Sequence, residues 1–429
     1  MPINNISKKK RFFSPKFYRH LPETNIIGNN SDQTHIYYSL QIYNDTTDYD
    51  SEGNPISTVL AVPADYSQNR VQDFINRPSE YDATVTYFHI DSNSFPSQIV
   101  YPKVGKNFQT PLVSPSGTYT IGGVESIYEI KLELTWQIIS TPFPLTFTDE
   151  ITVPIYWTPL DNRVDTPSFP ITKENITNEY FWNYNYDYFL DLVNTTIGYA
   201  MDRISVGNSV TYDGFNPYFV FDGTNNLIKF TAPFSFETDI QGNNVNLSVS
   251  TPTWKIFVNE PLYQLIQGMQ SLYETKYQLL VIPSPDASNI VPQNSSLSAT
   301  PSTNYIQTTT EFTSSFLWNP VVSIVFVTPH VDVVNELNGQ PFISGINPNP
   351  PVNNASLLNI LFEYMIGRRA DPVINSYVKA EYRLTQMLGI QPISEIQVQT
   401  YWKDEFGMLH RFFIEQGSGM NMKILFRKR

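Results

Sequence analysis

The chain has 429 residues, 27 Lys and Arg against 40 Asp and Glu, a formal charge of −13, and charged residues at only 16% of positions. It has no cysteine, which excludes disulfides, thiolate metal sites and a cysteine nucleophile, and no apolar run of about eighteen residues that would span a membrane as a helix. Its cations gather at the ends: Lys8, Lys9, Lys10, Arg11, Lys16 and Arg19 near the start and Lys423, Arg427, Lys428 and Arg429 at the finish, with no carboxylate among them.

Residues 1–30 read as a basic arm. Phe12, Phe13, Phe17 and Tyr18 interleave with Lys10, Arg11, Lys16 and Arg19, a mixture that stacks on bases and neutralises phosphates or else docks its aromatics into a neighbouring subunit; the sequence leaves both open. No apolar segment follows the cations, so a secretory signal is not expected. Asp48-Tyr49-Asp50-Ser51-Glu52-Gly53 opens like a calcium loop, but Val59 stands where the closing Glu belongs and Pro55 interrupts, so a solvated hairpin tip is the expectation.

Strand patterns dominate the body of the chain. Tyr128, Ile130, Leu132, Leu134, Trp136 and Ile138 are apolar at every second position, with Glu129, Lys131, Glu133 and Gln137 between them, the period of a sheet with one wet face. Residues 57–62, 84–90, 151–157, 218–221, 227–231, 245–249, 254–258, 277–282 and 321–327 are likewise short, β-branched or aromatic, and bounded by turn formers. Helices are few. One is expected over 186–204, with Phe189, Leu192, Val193, Thr196, Ile197 and Ala200 on one face, and one over 260–273, behind an Asn259 cap with Pro261 in the first turn. Residues 357–365 fit helix or strand. A Pro- and Asp-rich stretch at 158–170 divides the body into a first β-sandwich unit, 31–160, and a second β-rich unit with helical insertions, 161–429. Residues 284–304 and 346–354 read as long surface loops.

The end of the chain reads as a three-strand meander: Ile396, Val398, Thr400 and Trp402 alternate, Asp404-Glu405-Phe406-Gly407 turns, 409–414 returns, and Met420, Met422, Ile424 and Phe426 form a last strand running into Arg427-Lys428-Arg429. The basic tail is thus expected to project from a sheet edge. The class is all-β: jelly-roll type β-sandwiches with a few inserted helices, long loops and basic terminal arms.

Chemical motifs are thin. His20, His35, His89, His330 and His410 are scattered and lack ligand spacing, so no metal is expected. There is no G-x-S-x-G elbow, P-loop or dinucleotide fingerprint, and residues 117–123 form a turn. Asp404-Glu405 at an exposed turn makes a weak catalytic pair. The Asn175, Asn194 and Asn246 sequons are expected by chance in an Asn-rich chain. Arg368-Arg369 reads as a loop pair beside Asp371. No enzyme activity and no cofactor are expected.

Four segments carry a resemblance: Asn76-Arg77-Pro78-Ser79-Glu80-Tyr81; Val258-Asn259-Glu260-Pro261-Leu262-Tyr263-Gln264-Leu265; Tyr401-Trp402-Lys403-Asp404-Glu405-Phe406-Gly407; and Lys423-Ile424-Leu425-Phe426-Arg427-Lys428. Together the chain resembles the penton or minor capsid proteins of virophages and polinton-like viruses, small double-stranded DNA viruses whose shells are built on jelly rolls. The resemblance implies a structural capsid protein of the virion, assembled inside the host cell into an icosahedral shell. It would associate with itself and other capsid proteins, with the ten terminal cations facing the viral genome. Two other classes stand beside it: a viral spike, fibre or glycan-binding β-sandwich, for which basic ends serve no purpose, and a carbohydrate-active enzyme, for which no positive motif exists.

Overall fold

The computed structural model describes residues 34–429 apart from 45–61, 92–94, 141, 161–165, 177, 211–214, 250, 284–289, 293–303, 315–317, 335, 339–355, 367–372, 378–383, 405–406, 408 and 415–416. In chain order the main elements are β1 (His35–Tyr43), β2 (Asp65–Asn69), β3 (Tyr81–Asp91), β4 (Phe108–Val113), β5 (Thr120–Ile138), β6 (Leu145–Trp157), α1 (Tyr186–Asn208), β7 (Tyr218–Asp222), β8 (Leu227–Pro233), β9 (Thr253–Asn259) and α2 (Glu260–Leu265). Then come β10 (Ser271–Glu274), β11 (Tyr277–Leu280), β12 (Ile290–Pro292), β13 (Asn304–Thr309), β14 (Val321–Val327), β15 (Ile360–Met365), β16 (Val373–Tyr377), β17 (Glu395–Asp404), β18 (Leu409–Arg411) and β19 (Gly419–Lys428).

Eight of these strands pair as a nested set. The outermost, β1 and β19, are antiparallel from His35–Arg427 to Tyr43–Gly419; inside them β2 pairs with β17, β3 with β16 and β14 with β15. Two further contacts, β19 on β3 and β17 on β14, roll this long hairpin into two facing sheets, β1-β19-β3-β16 and β15-β14-β17 with β2 on the far side of β17. Nested antiparallel pairs rolled into two sheets are a jelly roll. One core lies between them, built from the inward residues of alternating strands: Ile36, Tyr38 and Leu40 of β1, Val85, Phe88 and Ile90 of β3, Ile324 and Phe326 of β14, Ile396, Val398 and Trp402 of β17, and Met420, Met422, Ile424 and Phe426 of β19.

Everything from β4 to β13 is inserted between β3 and β14. It has its own core, whose buried members run from Val100 to Trp318, so the Pro- and Asp-rich stretch near residue 160 falls within the span of that core. A sheet ordered β10-β11-β9-β5-β4, with β6 also on β5, packs on one side of α1, and a sheet ordered β7-β8-β13-β12 includes the strand on its other side. The helix starts where the Asn185 side chain accepts from the Asp187 N–H at 2.8 Å, and ends at Ser209 in the left-handed region (φ 53°). It buries Phe189, Val193, Ile197, Ala200 and Ile204, spaced as a helix face requires.

The expected strands at 84–90, 151–157, 218–221, 227–231, 254–258 and 321–327 all lie in strands, and the alternating segment around Tyr128 to Ile138 forms the C-terminal half of the 19-residue β5. Residues 245–249 make one isolated bridge, Ser248 with Thr251, and Asn244 just before them makes another with Thr238. Residues 357–365 resolve as strand, with Ile360–Met365 on β14. The helix expected over 260–273 stops at Leu265. Its last carbonyl is taken by the Ser314 hydroxyl at 2.6 Å and the Trp318 indole at 2.9 Å, and a Cβ on Gly268 would sit 2.8 Å from the Glu311 backbone nitrogen. Leu272 and Tyr273, the end of the apolar stripe, pair instead with β11. Nor is the end of the chain a meander: β17 and β18 stay in one sheet, while β19 crosses to the other and lies inside it, between β1 and β3.

Candidate functional site

The six cations of the arm, Lys8, Lys9, Lys10, Arg11, Lys16 and Arg19, lie outside the described residues, as do His20, the Asp48 to Gly53 segment and Arg368-Arg369. The four C-terminal cations are described, and the fold treats them unequally. Lys423 is exposed at mid-strand, opposite Ser39 and Tyr87. Arg427 is half-buried opposite His35 and Asp82.

Lys428 and Arg429 are anchored instead of projecting. Lys428 Nζ lies 3.5 Å from Glu80 Oε2, and its N–H donates to the Thr34 carbonyl at 2.8 Å. Arg429 Nε lies 3.4 Å from Asp82 Oδ1, its N–H donates to the Glu80 carbonyl at 2.8 Å, and its guanidinium reaches the Ser79 carbonyl. The Glu80 carboxyl is held below the usual carboxylate range, first by the hydrogen bond from Arg77 and then, against a burial effect, by Lys428. Because β19 is an interior strand, the tail that the alternation places at a sheet edge closes instead on the acidic start of β3.

A second cluster ties the inserted unit to the jelly roll. Trp182, paired through Trp182–Asn183 with Gln98–Ile99, belongs to the jelly-roll core although it lies deep in the insertion. Its ring meets Trp402 at 4.8 Å and His410 at 4.5 Å, both edge-on, and His410 stacks on Trp402 at 4.2 Å. His410 Nε2 lies 2.8 Å from Asp404 Oδ2, and both residues are buried. Asp404 is therefore not the exposed turn acid that its neighbours Glu405 and Gly407 suggest: β18 folds back on β17 in the register Trp402–His410 and covers it. This is a structural pair between aromatic planes.

No group of three or more potential ligands for a metal ion occurs among the described residues. The carboxylates of the β5 face are occupied by cations: Glu125 lies 2.8 Å from Lys103 and 3.1 Å from Lys106, and Lys103 also reaches Glu129 at 3.1 Å. Burial pushes the Glu125 carboxyl up, but the two lysines outweigh it and hold it low, as a structural ion pair does. The Asp222 carboxyl falls to about 2, first through its hydrogen bond from Lys229 and then through the Thr224 N–H. Among the described residues, the features that remain are surfaces. One of them is the distal end of the β5–β6 ribbon, where Ile138, Ile139, Phe143, Leu145 and Phe147 are exposed. Alternation in β5 marks this row as core-facing, and nothing in the sequence shows where its cover ends.

Comparison with known proteins agrees with the architecture. The family described as Sputnik minor capsid protein V18/19 matches residues 36–428. The cryo-EM structure of the Sputnik virophage includes a chain similar to this one at a TM-score of 0.60 and 18% identity, covering 92% of this chain and 98% of that chain. The crystal structure of the mavirus penton protein is similar at a TM-score of 0.50 and 12% identity, covering 92% and 100%. At such identities the two structures speak to the fold. No curated protein matches by sequence.

Proposed function

We propose that this chain, which belongs to the Sputnik minor capsid protein V18/19 family and is thus a structural protein of a virus capsid, is the vertex subunit of an icosahedral shell. In this reading it forms closed rings with copies of itself, which seat against other capsid proteins as the particle assembles inside the host cell. Its work is mechanical and requires no catalysis.

The observation that carries the reading is the pairing scheme. The eight-strand roll is closed by β1 against β19, so the fold is held by the two ends of its sequence, while the whole β4-to-β13 unit leaves and returns between β3 and β14. The likeness to the mavirus penton protein covers 92% of this chain, including that insertion. Such a subunit presents the roll for packing beside its copies and the insertion as a second layer, and ring closure results when one side of a subunit fits the other side of the next.

For the genome, the N-terminal arm is the contact we assign. The body without the ten terminal cations is strongly acidic, 17 Lys and Arg against 40 Asp and Glu, so attraction to phosphate is confined to the ends. Lys423 and Arg427 add to it weakly, and Lys428 and Arg429 serve the fold. The test is assembly of the purified full-length chain, with sedimentation and negative-stain imaging of the product. Rings of five support the reading, and a chain that stays monomeric across salt and pH contradicts it.

A further inference from the structure

Among the described residues, four strands of six residues or more lie at a sheet edge: β1, β4, β6 and β15. An open edge is a template for another strand, and folds blunt it with a proline, a charge, a bulge or a cap. Three of the four are blunted. β4 contains Pro111, β6 contains Pro154, and β15 contains Glu363 and a register shift in its pairing. Even the shorter β7 is capped, because Asn194 of α1 accepts from the Phe219 N–H at 2.7 Å and donates to its carbonyl at 2.9 Å. β1 is the exception. Its nine residues include no proline, glycine, lysine or carboxylate, and its register with β19 is unbroken from His35 to Tyr43.

The phase of the β1–β19 ladder tells which groups face the open side. The Lys428 N–H donates to the Thr34 carbonyl at 2.8 Å, and the Asn44 N–H donates to the Ser418 carbonyl at 3.1 Å. Opposed residues of an antiparallel pair exchange bonds at every second position, so Ile36, Tyr38, Leu40 and Ile42 bond to β19. His35, Tyr37, Ser39, Gln41 and Tyr43 therefore turn five N–H and five C=O groups outward, over about 30 Å, where no strand of the described chain pairs with them.

The strand is entered directly from residues 1–33, and the sequence just before it has the make-up of a hairpin. Gly28-Asn29-Asn30-Ser31-Asp32 is a run of turn formers, and Glu23-Thr24-Asn25-Ile26-Ile27 ahead of it is bounded on its other side by Pro22, a residue that ends a ladder. A segment on so short a tether meets its own edge at about millimolar effective concentration, far above that of a separate copy in dilute solution. We infer that residues 23–27 fold back over the 28–33 turn and add to the open edge of β1 as an antiparallel strand of the same molecule. Five residues cover about 17 Å of it, from His35 to near Ser39. Ser39 lies opposite Lys423, so the arm cations, which all precede Pro22, would set out beside Lys423; that consequence alone rests on the arm being the genome contact.

The experiment is hydrogen exchange read by mass spectrometry on four proteins: the full-length chain, a chain lacking residues 1–20, a chain lacking residues 1–27, and the full-length N25P/I26P variant. The two prolines remove a donor toward β1 in either register. β1 stays paired with β19 in all four, so circular dichroism should match. In the first two proteins the His35, Tyr37 and Ser39 amides should be slow; in the last two they should exchange roughly tenfold faster or more, as amides released from a ladder do. Equal exchange of these amides in the full-length chain and in the chain lacking residues 1–27 would overturn the inference. Slow exchange that appears only at concentrations where sedimentation detects association would overturn it too, since a neighbouring copy would then be the occupant. Ring assembly, which decides the capsid reading, is scored separately on the same full-length protein, so either reading can fail without the other.

Discussion

If the arm is the genome contact proposed above, it should contribute far more than the tail to nucleic-acid binding, and the difference can be worked out in advance. On duplex DNA, log K falls against log salt with a slope of about −0.9 per phosphate neutralised. Ten free terminal cations would give about −9, and the six of the arm alone about −5. Lys428 and Arg429 lie 3.5 and 3.4 Å from Glu80 and Asp82, and on the proposed reading they do not count, so the whole chain should fall between about −5 and −7. Replacing Lys8, Lys9, Lys10, Arg11, Lys16 and Arg19 by serine should bring the slope to about −2 or flatter. A slope of about −5 corresponds to roughly a thousandfold in affinity between about 50 and 200 mM salt, well within the range of fluorescence anisotropy on a labelled duplex. The K428S/R429S variant should leave the slope within about one of wild type while lowering the melting temperature slightly, by no more than exposed ion pairs contribute. An arm variant with the wild-type slope would refute the reasoning, and so would a tail variant that loses as much as the arm.

Three further outcomes concern the inserted unit. Phe189 is fully buried between Tyr128 at 5.4 Å and Trp318 at 6.1 Å and borders a small apolar void, so Phe189→Ala should cost about 3–5 kcal/mol by denaturant titration; a loss under about 1 kcal/mol would mean that α1 is not the centre of that core. Gly123 has φ +116°, and a Cβ there would lie 2.3 Å from the Trp157 carbonyl oxygen, so Gly123→Ala should abolish soluble expression or halve it at least, and wild-type yield and melting would contradict the placement. Asp222 has its folded pKa depressed to about 2. The stability it lends is complete above its unfolded value, about 3.9, and is lost as pH falls through about 2. Asp222→Asn should therefore flatten the acid limb of the stability curve between about pH 4 and 2, and an unchanged limb would show that Lys229 does not hold it.

Where the signal is local, the sequence carries it. The alternation from Tyr128 to Ile138 reads as strand because one face meets α1 and the other sets Lys131 and Glu133 in half-buried ion pairs with Glu150 and Lys255, and α1 reads as helix because its apolar face and Asn185 cap both lie within a few residues. Where the deciding contact is distant, the reading fails. The stripe after Asn259 continues past Leu265, but Ser314, Trp318 and the crowding at Gly268 end the helix there. Asp404 has the neighbours of a turn, yet His410 covers it. Sheet membership is least legible: β1 pairs with β19 from the opposite end of the chain, and no periodicity encodes a partner so remote. The cations of Lys428 and Arg429 are plain in the sequence, but the carboxylates that hold them, Glu80 and Asp82, are brought there by the equally remote pairing of β19 with β3.

The most direct test of the vertex assignment is a cryo-EM reconstruction of particles that contain this chain. Five copies around each fivefold axis, with the jelly roll in the shell and the β4-to-β13 unit as a second layer, is the predicted result. Density for this chain away from the fivefold axes, or only as an appendage outside a shell closed without it, would contradict the account.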